Sequence, residues 1–190
     1  MLFRSTARES GIWVNRLKRR QLAHGDEARL AACYNRVGSM PLHIRDDCHT
    51  ITEILTAARA LHARKGLRVL VVDYLQIIRG PDKELREQQV ASISRDLRLL
   101  AIETQCVVIA LCQLNKLGEA RESQAITMDA THFLAIHRAS KEGKRWAPTD
   151  DQDDEDSTKR IVEVRKLRDG QPGEIEMGFD GACSRFMELR

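Results

Sequence analysis

Asp73 closes an aliphatic run, Val69-Leu70-Val71-Val72. A carboxylate in that position can hold a magnesium-bound water opposite nucleotide phosphates, because the carboxyl ends of parallel strands open into the crevice where such ligands bind. The pattern also fits a plain turn residue. Lys166 and Arg168 stand ahead of Gly170 and Gly173, and on their own they read as a basic strand entering a tight hairpin turn. Arg121, in Arg121-Glu122-Ser123, is the residue type that meets nucleic-acid phosphates without regard to base sequence. Six His and five Cys are present; His43, Cys48 and His49 lie close together, but a metal site is not the favoured reading of them. No Gly-x-Ser-x-Gly occurs, which leaves an α/β-hydrolase reading without its nucleophile elbow.

Positioning Asp73 requires a strand–helix–strand frame. Thr50 to Lys65 reads as an amphipathic helix with Ile51, Ile54, Leu55, Ala58 and Leu61 on one stripe. Thr50 and Glu53 form a capping-box pattern, and Gly66 ends the helix. The near-continuous run Val69 to Ile78, stopped by Gly80-Pro81, predicts a central parallel strand buried on both faces. Residues 83–104 form a second helix with Leu85, Val90, Ile93, Leu97 and Leu100 inward, and Cys106 to Cys112 form another buried strand. With Pro41 to Arg45 as a short strand ahead, the alternation predicts crossover units and a parallel sheet.

Upstream, residues 1–22 read as short helices anchored by Ile12, Trp13, Val14 and Leu17, and residues 25–36 as a helix with Leu30 and either Cys33 or Tyr34 inward. Downstream, residues 133–137, 160–167, 174–179 and 184–189 are short strands of an antiparallel extension. The organisation expected is one domain over 1–190: a helical segment (1–40), an α/β core (41–138), an acidic loop (139–159) and C-terminal hairpins (160–190).

Composition narrows the function classes. The chain is 42% hydrophobic and 31% charged, which predicts a folded core, and only 4% aromatic, so that core must be aliphatic. Lys plus Arg exceed Asp plus Glu by 31 to 28, a surplus of +3 that does not by itself point to nucleic acid. The surplus is unevenly placed: residues 1–22 carry six basic residues and one acid, whereas Thr149 to Asp156 carry five Asp and one Glu. No apolar run reaches the roughly 18 to 20 residues of a membrane span, and no apolar secretory segment opens the chain. Five Cys without a CxxC pair predict reduced thiols in a cytoplasmic setting.

Three further stretches carry a family pattern in order: Asp73-Tyr-Leu-Gln76, Ser94-Arg-Asp-Leu-Arg-Leu-Leu-Ala101, and Val107-Val-Ile-Ala-Leu-Cys-Gln113-Leu-Asn-Lys116. Lys166-Leu-Arg168-Asp-Gly170-Gln-Pro-Gly173 follows them. From about residue 10 onward the sequence resembles the C-terminal RecA-like motor domain of DnaB-type replicative DNA helicases. The resemblance implies a mostly parallel P-loop NTPase core with flanking helices and antiparallel strands at its C-terminal end. It also implies ATP and Mg2+ as cofactors, single-stranded DNA as partner, a homo-hexameric ring, a helicase loader or primase as further partners, and a cytoplasmic bacterial or phage replisome. Asp73 matches the carboxylate that holds Mg2+ through water, and Gln113 matches the glutamine that senses the γ-phosphate. Lys166 and Arg168 match a finger that reaches the neighbouring subunit's γ-phosphate, where cations stabilise transferred charge. Arg121, Glu122 and Ser123 match the DNA-contacting loop.

The chain also departs from the pattern. No two of its eleven glycines stand five apart with Lys next, so GxxxxGK[ST], the phosphate cradle, is absent from the 190 residues. The resemblance places that loop and the water-activating glutamate upstream, and implies an N-terminally shortened sheet with an edge to cover. Gln124 stands where Gly is usual, Cys112 where Ser is usual, and the stretch from Asn115 to Arg121 is short. The expectation is a motor domain not competent for ATP hydrolysis alone; the alternative is a non-catalytic P-loop-less relative that joins or regulates a helicase ring.

Overall fold

The computed structural model describes residues 2–80, 85–114, 124–138 and 158–189. In chain order the elements are α1 (Leu2–Ser10), α2 (Val14–Lys18), α3 (Asp26–Gly38), α4 (Ile51–Lys65), β1 (Val69–Val72), α5 (Arg86–Thr104) and β2 (Val107–Ala110). They continue with α6 (Gln124–Asp129), β3 (His132–Arg138), β4 (Lys159–Leu167), β5 (Gly173–Asp180) and β6 (Arg185–Glu188). The chain divides into two compact units: residues 44–135 with 164–172, and residues 1–43 with 136–163 and 173–190.

In the unit built on residues 44–135, α4 starts at a complete capping box. The Glu53 N–H donates to Thr50 Oγ1 (3.3 Å), and Glu53 Oε2 accepts from the N–H groups of His49 (2.8 Å) and Thr50 (2.9 Å). Three donors that a helix start leaves open are thereby satisfied. Gly66 ends the helix at φ 75°, where a side chain would be strained. β1 and β2 pair in parallel with Val72 opposite Ala110, and α5 is the crossover between them. Ile51, Val72, Leu75, Ile78, Val90, Ile93, Leu97 and Ile126 form the core.

The strand reading of Val69 to Ile78 needs two corrections. The strand stops at Val72, and Leu75–Ile77 form a 3-10 turn. The turn returns Leu75 and Ile78 to the core while leaving Ile77 exposed. Nor is the pair covered on both faces. Leu70, Val72 and Val108 pack inward, but Val69 (50%), Val71 (54%), Val107 (59%) and Ile109 (50%) face outward. Among the described residues, the helices α4 and α5 cover one side only, so alternate residues alone are buried. Pro41 to Arg45 form no strand either: the segment is irregular and exposed, and Pro41 has no N–H to give a ladder. Leu85 caps α5 and is exposed rather than part of its apolar face.

In the unit built on residues 1–43, Ala7, Ile12 and Leu17 form a small core with Val14 and Leu30. Cys33 rather than Tyr34 is the inward residue of α3, and Trp13 is exposed. Buried Asp26 organises the turn before α3. It accepts from Arg16 (2.6 Å), Arg29 (3.3 Å) and the Ala23 N–H (2.9 Å). The Ala23 N–H foremost, then the two guanidiniums, hold its carboxyl below the ordinary value against the opposing effect of burial. The strand order of the second sheet is β3-β4-β5-β6, with β5 and β6 antiparallel and Phe179 opposite Phe186. The antiparallel extension expected at the C-terminal end is present in that pair. The acidic run Thr149 to Asp156 lies outside the described residues.

Candidate functional site

Asp73 and Gln113 sit at the same end of the β1–β2 pair because the pairing continues past both strands. The Leu111 N–H donates to the Val72 carbonyl (2.9 Å), and the Leu75 N–H donates to the Leu111 carbonyl (2.9 Å). This zips the turn after Asp73 onto the segment leading to Gln113. One side chain then crosses over: Gln76 Oε1 accepts from the Gln113 backbone N–H (3.2 Å). The Asp73–Tyr74 peptide bond is cis. The Asp73 carboxylate is exposed and has no hydrogen-bond or ion-pair partner among the described residues. The Gln113 side chain is exposed as well, so both polar ends are presented outward from one tip of the sheet.

Arg86, at the first turn of α5, holds the turn below this tip. Its guanidinium donates to the carbonyls of Gln76 (2.8 Å) and Ile78 (3.0 Å) and to Gln89 Oε1 (2.9 Å). A planar fork suits several carbonyls at once. Neither Gln76 nor Arg86 was assigned a role by sequence reasoning. Gln76 lies within the quoted Asp73 motif, and that adjacency was its only signal. Arg86 has no local pattern to mark it.

Lys166 and Arg168 lie at and just beyond the end of β4. Lys166 Nζ donates to the carbonyls of Thr127 (2.7 Å) and Met128 (3.1 Å), in the last turn of α6. An ammonium there satisfies carbonyls that the helix end leaves open and sits at the favourable end of its dipole. α5 also reaches this helix, through Arg98 and Asp129 at 3.6 Å. Arg168 is exposed in the turn after β4. In that turn a Cβ on Gly170 would meet the Leu167 side chain, which would have to shift to admit it. The structure thus brings Asp73 and Gln113 together, and ties Lys166 to α6. Arg121, Glu122 and Ser123 lie outside the described residues.

A magnesium ion can be tested against this geometry. Mg2+ is commonly held by one or two carboxylates, waters and the substrate's own phosphates. Among the described residues no three His, Cys, Asp or Glu cluster as a protein-only cage. A lone free carboxylate at a strand tip fits the water-mediated share of such a shell, and Asp73 supplies it. The metal would contribute charge neutralisation on the phosphates. Burial pushes the thiol of Cys112, beside Gln113, above the ordinary value, which disfavours the thiolate.

The family model for the DnaB-like helicase C terminal domain matches residues 1–188. The replicative DNA helicase DnaB of Leifsonia xyli is 32% identical over 197 residues, covering 95% of this chain and 41% of that protein. The replicative DNA helicase DnaC of Bacillus subtilis is 28% identical over 205 residues, covering the whole chain and 43% of the relative. The chain therefore spans less than half the length of these relatives. Two solved structures share the fold at a TM-score of 0.84 and 25% identity. One is a DnaB-like replicative helicase described with its interactions with primase, matched over 100% of this chain and 48% of its own. The other is an ATPase domain, matched over 98% of this chain and 69% of its own. Asp73 and Gln113 on one tip of a parallel pair, in an α/β RecA-like fold matched almost end to end, carry one conclusion: the chain belongs to the DnaB-like helicase C-terminal domain family.

Proposed function

We propose that this chain supplies the magnesium, sensor and finger portion of a DnaB-type motor, which couples ATP hydrolysis to translocation on single-stranded DNA and duplex unwinding. The observation that carries the reading is the shared tip of Asp73 and Gln113, joined through Gln76. Asp73 orients a magnesium-bound water. Gln113 can both donate to a phosphate and accept from water, and its backbone tie to Gln76 transmits the loss of the γ-phosphate to the Asp73 turn. Arg168, exposed in the turn after β4, acts on the neighbouring subunit's nucleotide in a homo-hexameric ring, joined by Lys166 once its ammonium leaves the Thr127 and Met128 carbonyls, and Arg121, Glu122 and Ser123 meet DNA. The setting is a cytoplasmic bacterial or phage replisome, with a loader or primase as further partners.

One observation favours a second reading. GxxxxGK[ST] does not occur in these 190 residues, so the chain itself brings no phosphate cradle. On this reading it joins a ring of P-loop-bearing subunits and offers fingers without a working site. Mixing the chain with a full-length relative and recording native mass spectra tests ring membership. Mixed rings are expected under the second reading, and their absence removes it. Within mixed rings, K166A/R168A chains should lower ATP turnover relative to unaltered chains; equal turnover removes the finger roles.

A further inference from the structure

Arg8, Glu9, Arg36, Ser184, Arg185 and Phe186 line an open cavity of about 400 Å³ within the unit built on residues 1–43. Its charges do not balance. Glu9 is the only acid in the lining, and it already pairs with Arg8 (3.2 Å) and Arg36 (3.1 Å). Arg36 also donates to the Glu9 carbonyl (3.0 Å), which fixes that guanidinium in place. Arg185 is exposed and has no hydrogen-bond or ion-pair partner among the described residues. Asp180 stands opposite it across the β5–β6 ladder, with its carboxylate engaged by the N–H groups of Ala182 (2.9 Å) and Cys183 (3.3 Å). The lining thus holds three guanidiniums and one carboxylate, two of the three paired with it.

Two more features define what this surplus suits. Phe186 is 41% exposed, and its ring is backed by Phe179 at 5.0 Å between centroids, with Arg160 over Phe179 at 4.8 Å. The aromatic face is therefore held rather than loose. A second cavity of about 340 Å³ shares Glu9 and Arg36 with the first and adds Arg29. The face therefore continues past Arg36, although the Arg29 guanidinium is itself engaged by Asp26 (3.3 Å). Guanidiniums in a row beside a fixed aromatic ring are the chemistry of single-stranded nucleic acid, with phosphates on the cations and a base on the ring. An acidic peptide would use the charges but leave the ring without a role.

We propose that this face binds single-stranded nucleic acid through Arg185, Arg36, Arg8 and Phe186, residues other than the Arg121 loop. The site does not depend on the motor reading. Fluorescence anisotropy of labelled oligo(dT) with the whole chain, across a salt series, tests it. R185A is expected to weaken binding about tenfold. It should also reduce the slope of log affinity against log salt by about 0.7, as loss of one single-strand phosphate contact requires. R185K should keep that slope. F186L should weaken binding roughly fivefold with the slope unchanged, because stacking rather than charge is lost. Arg185 makes no contact that folding needs, so its variants remain informative even where F186L is unstable. Failure of the chain to bind oligo(dT), or unchanged binding in R185A, overturns the proposal. So does a poly-glutamate peptide that binds in an Arg185-dependent way while oligo(dT) does not. If R121A abolishes oligo(dT) binding and R185A does nothing, this site falls and the DNA-loop assignment stands.

Discussion

At the scale of single residues, the candidate site depends on side chains that touch no ligand. Arg86 donates to several carbonyls below the Asp73 turn, and removing it strands those acceptors in a half-buried place. R86A should cost about 2 kcal/mol by urea denaturation, and R86K should recover little of it, since one ammonium cannot span the set. Asp26 gives a second prediction, with a defined sign. Its folded carboxyl lies below the ordinary value of 3.8, so the stability it contributes is present above that value and lost as pH falls through the folded one. The melting-temperature gap between wild type and D26N should be widest above about pH 5 and close as pH falls below about 4. A gap that widens on acidification would contradict this sign. Asp73 was legible because strand end and carboxylate are adjacent in sequence. Arg86 was not, because most of its partners are backbone carbonyls, which every sequence has everywhere.

At the scale of elements, α4 was readable to the residue, since its cap is a local device: Thr50, Glu53 and Gly66 act within a few positions of one another. T50A should cost about 1 kcal/mol in chemical denaturation, with loss confined to the capping interaction. The β1 segment shows the limit of such reading. An unbroken aliphatic run states that apolar residues are present, not how many layers will cover them. Val72 is 7% exposed and Val71 54%, one residue apart. V72A should therefore cost about 2 kcal/mol and V71A less than about 0.5. Equal costs would mean that the outward face is covered after all. The 3-10 turn after Asp73 was hidden for the same reason, because the helical return of Leu75 and Ile78 has no distinct composition.

At the scale of the whole molecule, the resemblance was legible because its motifs keep their order, and family and fold bear it out. The chain alone should show no magnesium-dependent ATPase above a D73A control, measured by phosphate release, because no GxxxxGK[ST] stands among its residues. The +3 net charge hid a local surplus that the fold makes visible, with Arg8, Arg36 and Arg185 lining one cavity beside a single acid. The outward face of β1 and β2 has a different consequence. Val69, Val71, Val107 and Ile109 form a β-branched patch on a two-stranded parallel sheet. In dilute solution folding competes with self-association, and a patch of this kind favours the second as concentration rises. When the isolated chain is made in cells, its yield of dispersed protein should be set by chaperone capacity and synthesis rate rather than by thermodynamic stability. Charged substitutions at Val71 and Ile109 should raise that yield without raising the melting temperature.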